Sequence, residues 1–151
     1  MKNSLRPFLA AVCLVALPFA AGSAFAKEGW GENQQAALAK AKSEKKLILM
    51  DFTGSDWCGW CIKMDKEVFD TAEFKAFAKD NLVLVELDYP NKKQLAPETV
   101  AQNEKLQKQY SVDGFPTLIV LDSEGKTLKT FGGYQKGGAA AFIAELKKLQ
   151  S

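Results

Sequence analysis

Histidine is absent from the 151-residue chain, and only three cysteines are present. Without histidine there is no imidazole to ligate a metal, or to stand beside a thiol as a cation. Cys13 lies in an apolar N-terminal stretch, which leaves Cys58 and Cys61 as the remaining pair. Two thiols alone do not complete a tetrahedral site, so no metal and no cofactor are expected. An excess of charge is missing too, with 20 basic against 18 acidic residues. Lys2 and Arg6 fall in the first 26 residues, which hold no acid, so the remainder carries 20 − 2 = 18 basic against 18 acidic groups. A chain so balanced is a poor ligand for phosphate backbones, so nucleic acid is not an expected partner. There is no second long apolar run, internal repeat or low-complexity segment.

The first 26 residues have the three parts of a secretory signal. Lys2 and Arg6 are basic, residues 7–21 are almost wholly apolar, and Ala24-Phe25-Ala26 is a small-x-small cleavage site. Cleavage after Ala26 is expected, leaving residues 27–151 as one domain large enough for its own core. A membrane anchor is the alternative, but the run contains Pro18, is followed by Gly22 and is short for a span of about 20 residues. Cys13 sits inside the run rather than after it, which argues against a lipoprotein. The protein is therefore expected to be exported to an oxidising compartment, the periplasm, and to be soluble there.

Helices and strands alternate along the rest. Asn33 caps an alanine-rich helix to Lys45. Lys46 to Phe52 is a buried strand, and Thr53-Gly54-Ser55-Asp56 a turn. A helix starts near Cys58 and runs to about Phe69; Thr71 caps a further segment through Phe74 and Phe77. Leu82 to Asp88 is a strand and residues 90–97 a polar loop. Pro97 opens a helix to about Tyr110. Thr117 to Leu121 and Thr127 to Phe131 form a hairpin about Ser123-Glu124-Gly125-Lys126. Gly137-Gly138 precede a last helix with Phe142, Ile143, Leu146 and Leu149 on its apolar face. The order α-β-α-β-α-β-β-α gives a mixed sheet of about four strands flanked by helices, with parallel pairs wherever a helix intervenes and one antiparallel hairpin.

The chemistry is concentrated in Trp57-Cys58-Gly59-Trp60-Cys61. Cysteines at this spacing can close a disulfide across the first turn of a helix. So small a loop restricts the unfolded chain little, so a purely structural bridge is a weak reading. A redox pair fits better. Cys58, at the helix start, is the expected attacking thiol, because free backbone amides and the helix dipole favour its thiolate. Cys61, one turn in, is the expected resolving thiol.

These residues, together with the strand ending Met50-Asp51-Phe52, the distant Gly114-Phe115-Pro116-Thr117 and Gly132-Gly133-Tyr134 before the closing helix, resemble the thioredoxin fold. The resemblance covers essentially all of the chain beyond the signal. It is closest in style to exported bacterial thioredoxin-like proteins that begin with a helix and a strand before the motif. It implies a cis Pro116 beside the disulfide, with the backbone of Phe115 presented to a substrate strand. Composition alone would allow an ordinary trans proline. Trp57 matches the tryptophan that packs beside the motif, and is equally readable as a plain core aromatic. Trp57, Gly59, Trp60, Phe115 and Pro116 are thus candidate substrate-binding residues.

The resemblance also implies that Asp51 is the buried carboxylate beneath Cys61 that assists its deprotonation. This chain has one extra residue between Asp51 and Cys58. If the insertion lies in the turn, Asp51 keeps its register; if it lies in the strand, the side chain flips to the other face. Where thioredoxins place a lysine near that carboxylate, this chain offers Glu86, and a second carboxylate would raise the pKa of the first. Trp60 stands where thioredoxins have proline and isomerase-like members have histidine. Lys63 and Lys66 read as a solvated helix face or as steering charges.

The sequence thus describes an exported thiol–disulfide oxidoreductase that reduces or exchanges disulfides of proteins or small molecules. A membrane or soluble thiol partner would recharge it, and a monomer is expected. The rivals are a net disulfide oxidant and a non-catalytic peptide-binding or chaperone module. With no imidazole beside Cys58, the potential is expected toward the reducing end of a range of about −270 to −120 mV.

Overall fold

The computed structural model describes residues 27–150; the expected signal segment lies outside the described residues. Eleven elements follow one another: β1 (Trp30–Gly31), α1 (Gln34–Glu44), β2 (Leu47–Thr53), α2 (Gly59–Met64), a π-helical turn (Asp65–Phe69), α3 (Ala72–Asn81), β3 (Leu82–Asp88), α4 (Pro97–Gln109), β4 (Thr117–Leu121), β5 (Thr127–Gly132) and α5 (Gly138–Lys147). Local chemistry accounts for most boundaries. The Asn33 side chain accepts from Ala36 N–H and Thr71 from Phe74 N–H, satisfying helix-start donors. Pro97 opens α4, where its missing N–H costs no helical bond.

The strands form one five-stranded sheet in the order β1-β3-β2-β4-β5. The sequence expectation of about four strands omits β1. Two residues are too few to show a period, and β1 is defined only by its parallel pairing of Trp30 with Leu84 and Gly31 with Val85. The rule that an intervening helix gives a parallel pair holds for β2 and β3, and fails for β4, which runs antiparallel to β2. The chain leaving α4 returns to the end where β3 finished, and Phe115 stacks on Tyr89 with ring centroids 4.9 Å apart. β4 therefore starts where β3 ends and must run back. The helix expected from Cys58 to Phe69 is also not uniform, since its second half widens into the π-helical turn.

Alternation along the strands divides the core into two. Ile48, Met50 and Phe52 pack with Val85, Leu87 and Ile119 on the face covered by α1 and α4, through Ala37, Ala41 and Leu106. Leu49, Leu84, Leu118 and Val120 face the other side, against Met64, Val68, Phe69, Phe74 and Phe142. Asp51 shares the parity of Leu49, and its antiparallel partner is Leu118, so it faces the α2 side. The extra residue before Cys58 has left the strand register intact.

Candidate active site

The strand β2 ends at Thr53 and hands the chain to a turn that the neighbouring loop holds at three points. Ser55 donates from its N–H and its hydroxyl to the Asp88 carboxylate, at 2.9 and 2.7 Å. Asp56 accepts from the N–H groups of Asn91 and Lys92, at 2.9 and 2.7 Å. Trp57 Nε1 donates to the carbonyl oxygen of Tyr89 at 2.7 Å. The indole lies so close over Gly54 that a Cβ there would sit 2.5 Å from the ring.

Cys58 is the N-cap of α2 and is disulfide-bonded to Cys61, with Cα atoms 5.2 Å apart. Its Sγ accepts the Cys61 N–H at 3.2 Å, one of the helix-start donors that favour negative charge on that sulfur after reduction. Both sulfur-bearing residues are buried, Cys61 more deeply, at 1 % exposure against 7 %. Gly59 faces open space.

Around the pair the surface is aromatic. Trp57 and Trp60 are the most exposed large rings among the described residues. Trp57 meets Phe115 edge-on at 6.0 Å. Trp60 lies against Tyr134 at 5.6 Å, with the Lys63 ammonium over both rings, and the Tyr134 hydroxyl donates to Glu67. The Phe115–Pro116 bond is cis. Thr117 of β4 pairs with Phe52 of β2, so Pro116 stands at the end of the sheet from which the Cys58 loop departs.

On the α2 face of the sheet, Asp51 is 2 % exposed and its Oδ1 has no hydrogen-bond partner, nor has Thr53 Oγ1 two residues on. Glu86 is also buried and stands opposite Asp51 in the strand register. Burial raises the Asp51 carboxyl to about 8; Lys27 opposes that shift, while Asp65, Glu86 and Asp88 add to it. Burial likewise raises Glu86 and Asp65 above the usual carboxylate range, again opposed by Lys27.

Lys27 is the residue that sequence reasoning passed over. It forms an ion pair with Asp65 and lies over the rings of Trp30 and Phe69, at 4.2 and 4.7 Å. Nothing in the sequence marks it, because it precedes the first element and lies far along the chain from Asp65 and Phe69. Asn103 was also missed. Its buried side-chain amide on α4 donates to the Asp88 backbone carbonyl at 3.0 Å, while its backbone carbonyl accepts from the Tyr89 hydroxyl at 2.6 Å. α4 is polar along most of its length, so nothing in the sequence sets Asn103 apart.

A family model described as a thioredoxin-like domain matches residues 34–150. The disulfide bond reductase DsbH of Chlamydia pneumoniae is 43 % identical over 116 residues, covering 77 % of this chain and 69 % of that protein. The thioredoxin-related protein DsbJ of the same organism is 30 % identical over 105 residues, 70 % of this chain but 30 % of that longer protein. Among solved structures, a DsbH oxidoreductase matches with a TM-score of 0.75 and 38 % identity, over 93 % of this chain and 94 % of that one. A helix-capping cysteine pair on this fold, with relatives this similar, makes the protein a thiol–disulfide oxidoreductase that belongs to the thioredoxin-like family.

Proposed function

We propose that the chain works as a reductase, with Cys58 as the nucleophile and Cys61 as the resolving thiol. The observation that carries the division of labour is the position of Cys58 as N-cap, its sulfur accepting a helix-start N–H, with Cys61 buried one turn behind. The reduced Cys58 thiolate attacks one sulfur of a substrate disulfide. The Cys58–substrate bond forms, the substrate S–S bond breaks, and the departing sulfur leaves as a thiolate that takes a proton from water. Cys61 then gives its proton to Asp51 and attacks Cys58 Sγ. The Cys58–Cys61 bond forms and the second substrate sulfur leaves as a thiolate. Two electrons pass to the substrate, and an external dithiol must return two to the pair. Trp57, Gly59, Trp60, Phe115 and Pro116 form the surface on which the substrate strand lies.

The direction is supported by two things. The 43 % identical relative is named a disulfide bond reductase. The chain also has no imidazole to stabilise the Cys58 thiolate and so make the pair strongly oxidising. The setting is part of the same proposal: an exported, periplasmic monomer acting on protein disulfides and recharged by a membrane or soluble thiol partner. Among the described residues no helix is long and apolar enough to cross a membrane. Mass spectrometry of a Cys61→Ser variant tests the mechanism. Partners covalently held on Cys58 are expected, and a variant that traps none contradicts it.

A further inference from the structure

The sheet register puts two carboxylates on the α2 side of the sheet, and the π-helical turn and the segment before β1 add a third carboxylate and an ammonium. Asp51 on β2 and Glu86 on β3 are direct partners, and both share the face of Leu49 and Leu84. Trp30 on β1 pairs with Leu84, two residues before Glu86, and packs in the same core. Phe69, at the end of the π-helical turn, packs against Trp30 with ring centroids 5.1 Å apart. Asp65, at the start of that turn, follows α2 directly, and its N–H bonds to the Cys61 carbonyl. Lys27 reaches into this corner. Its ammonium bonds to Asp65 and lies over both the Trp30 and Phe69 rings, with its side chain only 18 % exposed. Asp88 and Lys93 border the cluster from β3 and the following loop, paired with each other at 2.8 Å. Asp70 adds negative charge beyond Asp65.

A carboxylate with a second buried carboxylate opposite it accepts charge poorly, and the strand position across from Asp51 holds an acid rather than a base. We infer that Lys27, from the segment before the first strand, supplies the counter-charge that keeps Asp51 able to ionise, and so positions the proton acceptor for Cys61. This rests on the role proposed above for Asp51, and it adds a residue to that role from a part of the chain that has no motif. The rings of Trp30 and Phe69 lie under the ammonium, and Asp65 fixes it. No redox step is assigned to Lys27. It acts on the resolving step through the charge of Asp51.

The test is a carbon-13 NMR titration of the Asp51 carboxyl in the reduced protein, with Lys27→Met, which keeps the packed stem without the charge, and Lys27→Arg, which keeps the charge. Lys27→Met should move the Asp51 midpoint up by about one pH unit or more, the scale of an opposite charge at close range. The resolving step at pH 7 should slow about tenfold with it, one unit being a factor of ten in the ionised fraction. Lys27→Arg should return both toward the wild-type values. An unchanged midpoint in Lys27→Met, a shift as large in Lys27→Arg as in Lys27→Met, or a wild-type midpoint in the ordinary carboxylate range would each overturn the inference. The carboxyl midpoint is read without turnover, so its outcome is separate from whether the protein works as a reductase. If Lys27→Met does not fold, Lys27→Gln provides the same comparison.

Discussion

Asp51 and Glu86 face each other on adjacent parallel strands, both buried on the side of the sheet that α2 covers. Burial makes each hold its proton tightly, and with smaller contributions from Asp65, Glu86 and Asp88 the Asp51 carboxyl is pushed up to about 8. Such a group is mostly protonated at neutral pH, and its ionised fraction is a strong proton acceptor for a resolving thiol. The same feature that weakens the fold therefore serves the chemistry.

Asp51→Asn should separate those two effects. The folded carboxyl is raised above its unfolded value, so its contribution is complete below about pH 4 and is lost as pH rises toward about 8. Within that window the wild type should lose up to about 1.4 kcal/mol per pH unit from this group. Denaturant titrations at several pH values should show a shallower decline for Asp51→Asn and a more stable protein at pH 8. Single-turnover reduction of a model disulfide should show a slower resolving step. A variant that loses stability at pH 8 while keeping its rate contradicts the assignment.

Cys58 should carry the reactive thiol. Its alkylation rate in the reduced protein should titrate below about 8.5, the value of a free cysteine, because helix-start donors favour the thiolate. Cys61, at 1 % exposure, should react more slowly at every pH. Equal reactivity of the two would count against a fixed attacker.

Gly54→Ala should displace Trp57. The added methyl would stand 2.5 Å from the indole, so the ring must move and its bond to the Tyr89 carbonyl must stretch or break. A loss of about 1–3 kcal/mol is the scale of such overpacking. Tryptophan fluorescence should change with it, and reduction of peptide disulfides should weaken more than that of small disulfides. Unaltered fluorescence and substrate preference would show that the ring has room to give.

Asn103→Leu should cost about 1–3 kcal/mol, since it removes the buried amide's bond to the Asp88 carbonyl. Thermal unfolding measures it directly. A variant as stable as wild type would mean that the loop after β3 is held by Ser55, Asp56 and Trp57 alone.

Much of this was readable from residue order. The Asn33 and Thr71 caps, Pro97 at a helix start and the two buried strands that carry Asp51 and Glu86 follow from local chemistry, and the structure shows each. The cysteine pair and the Gly-Phe-Pro-Thr segment marked the redox end of the sheet. Lys27 could not be read, because its meaning lies in contacts across the fold with Asp65 and Phe69. β1 escaped notice for the same reason: two residues become a strand only when β3 is beside them. The reversal of β4 is likewise set by where Phe115 docks, on Tyr89, rather than by any local pattern.

The reduction potential of the Cys58–Cys61 couple, equilibrated against glutathione, tests the central claim most directly. A reductase without an imidazole beside its nucleophile should lie near the thioredoxin end of the scale, about −270 mV. A value near the strongly oxidising end, about −120 mV, would make the protein a net disulfide donor and contradict the account.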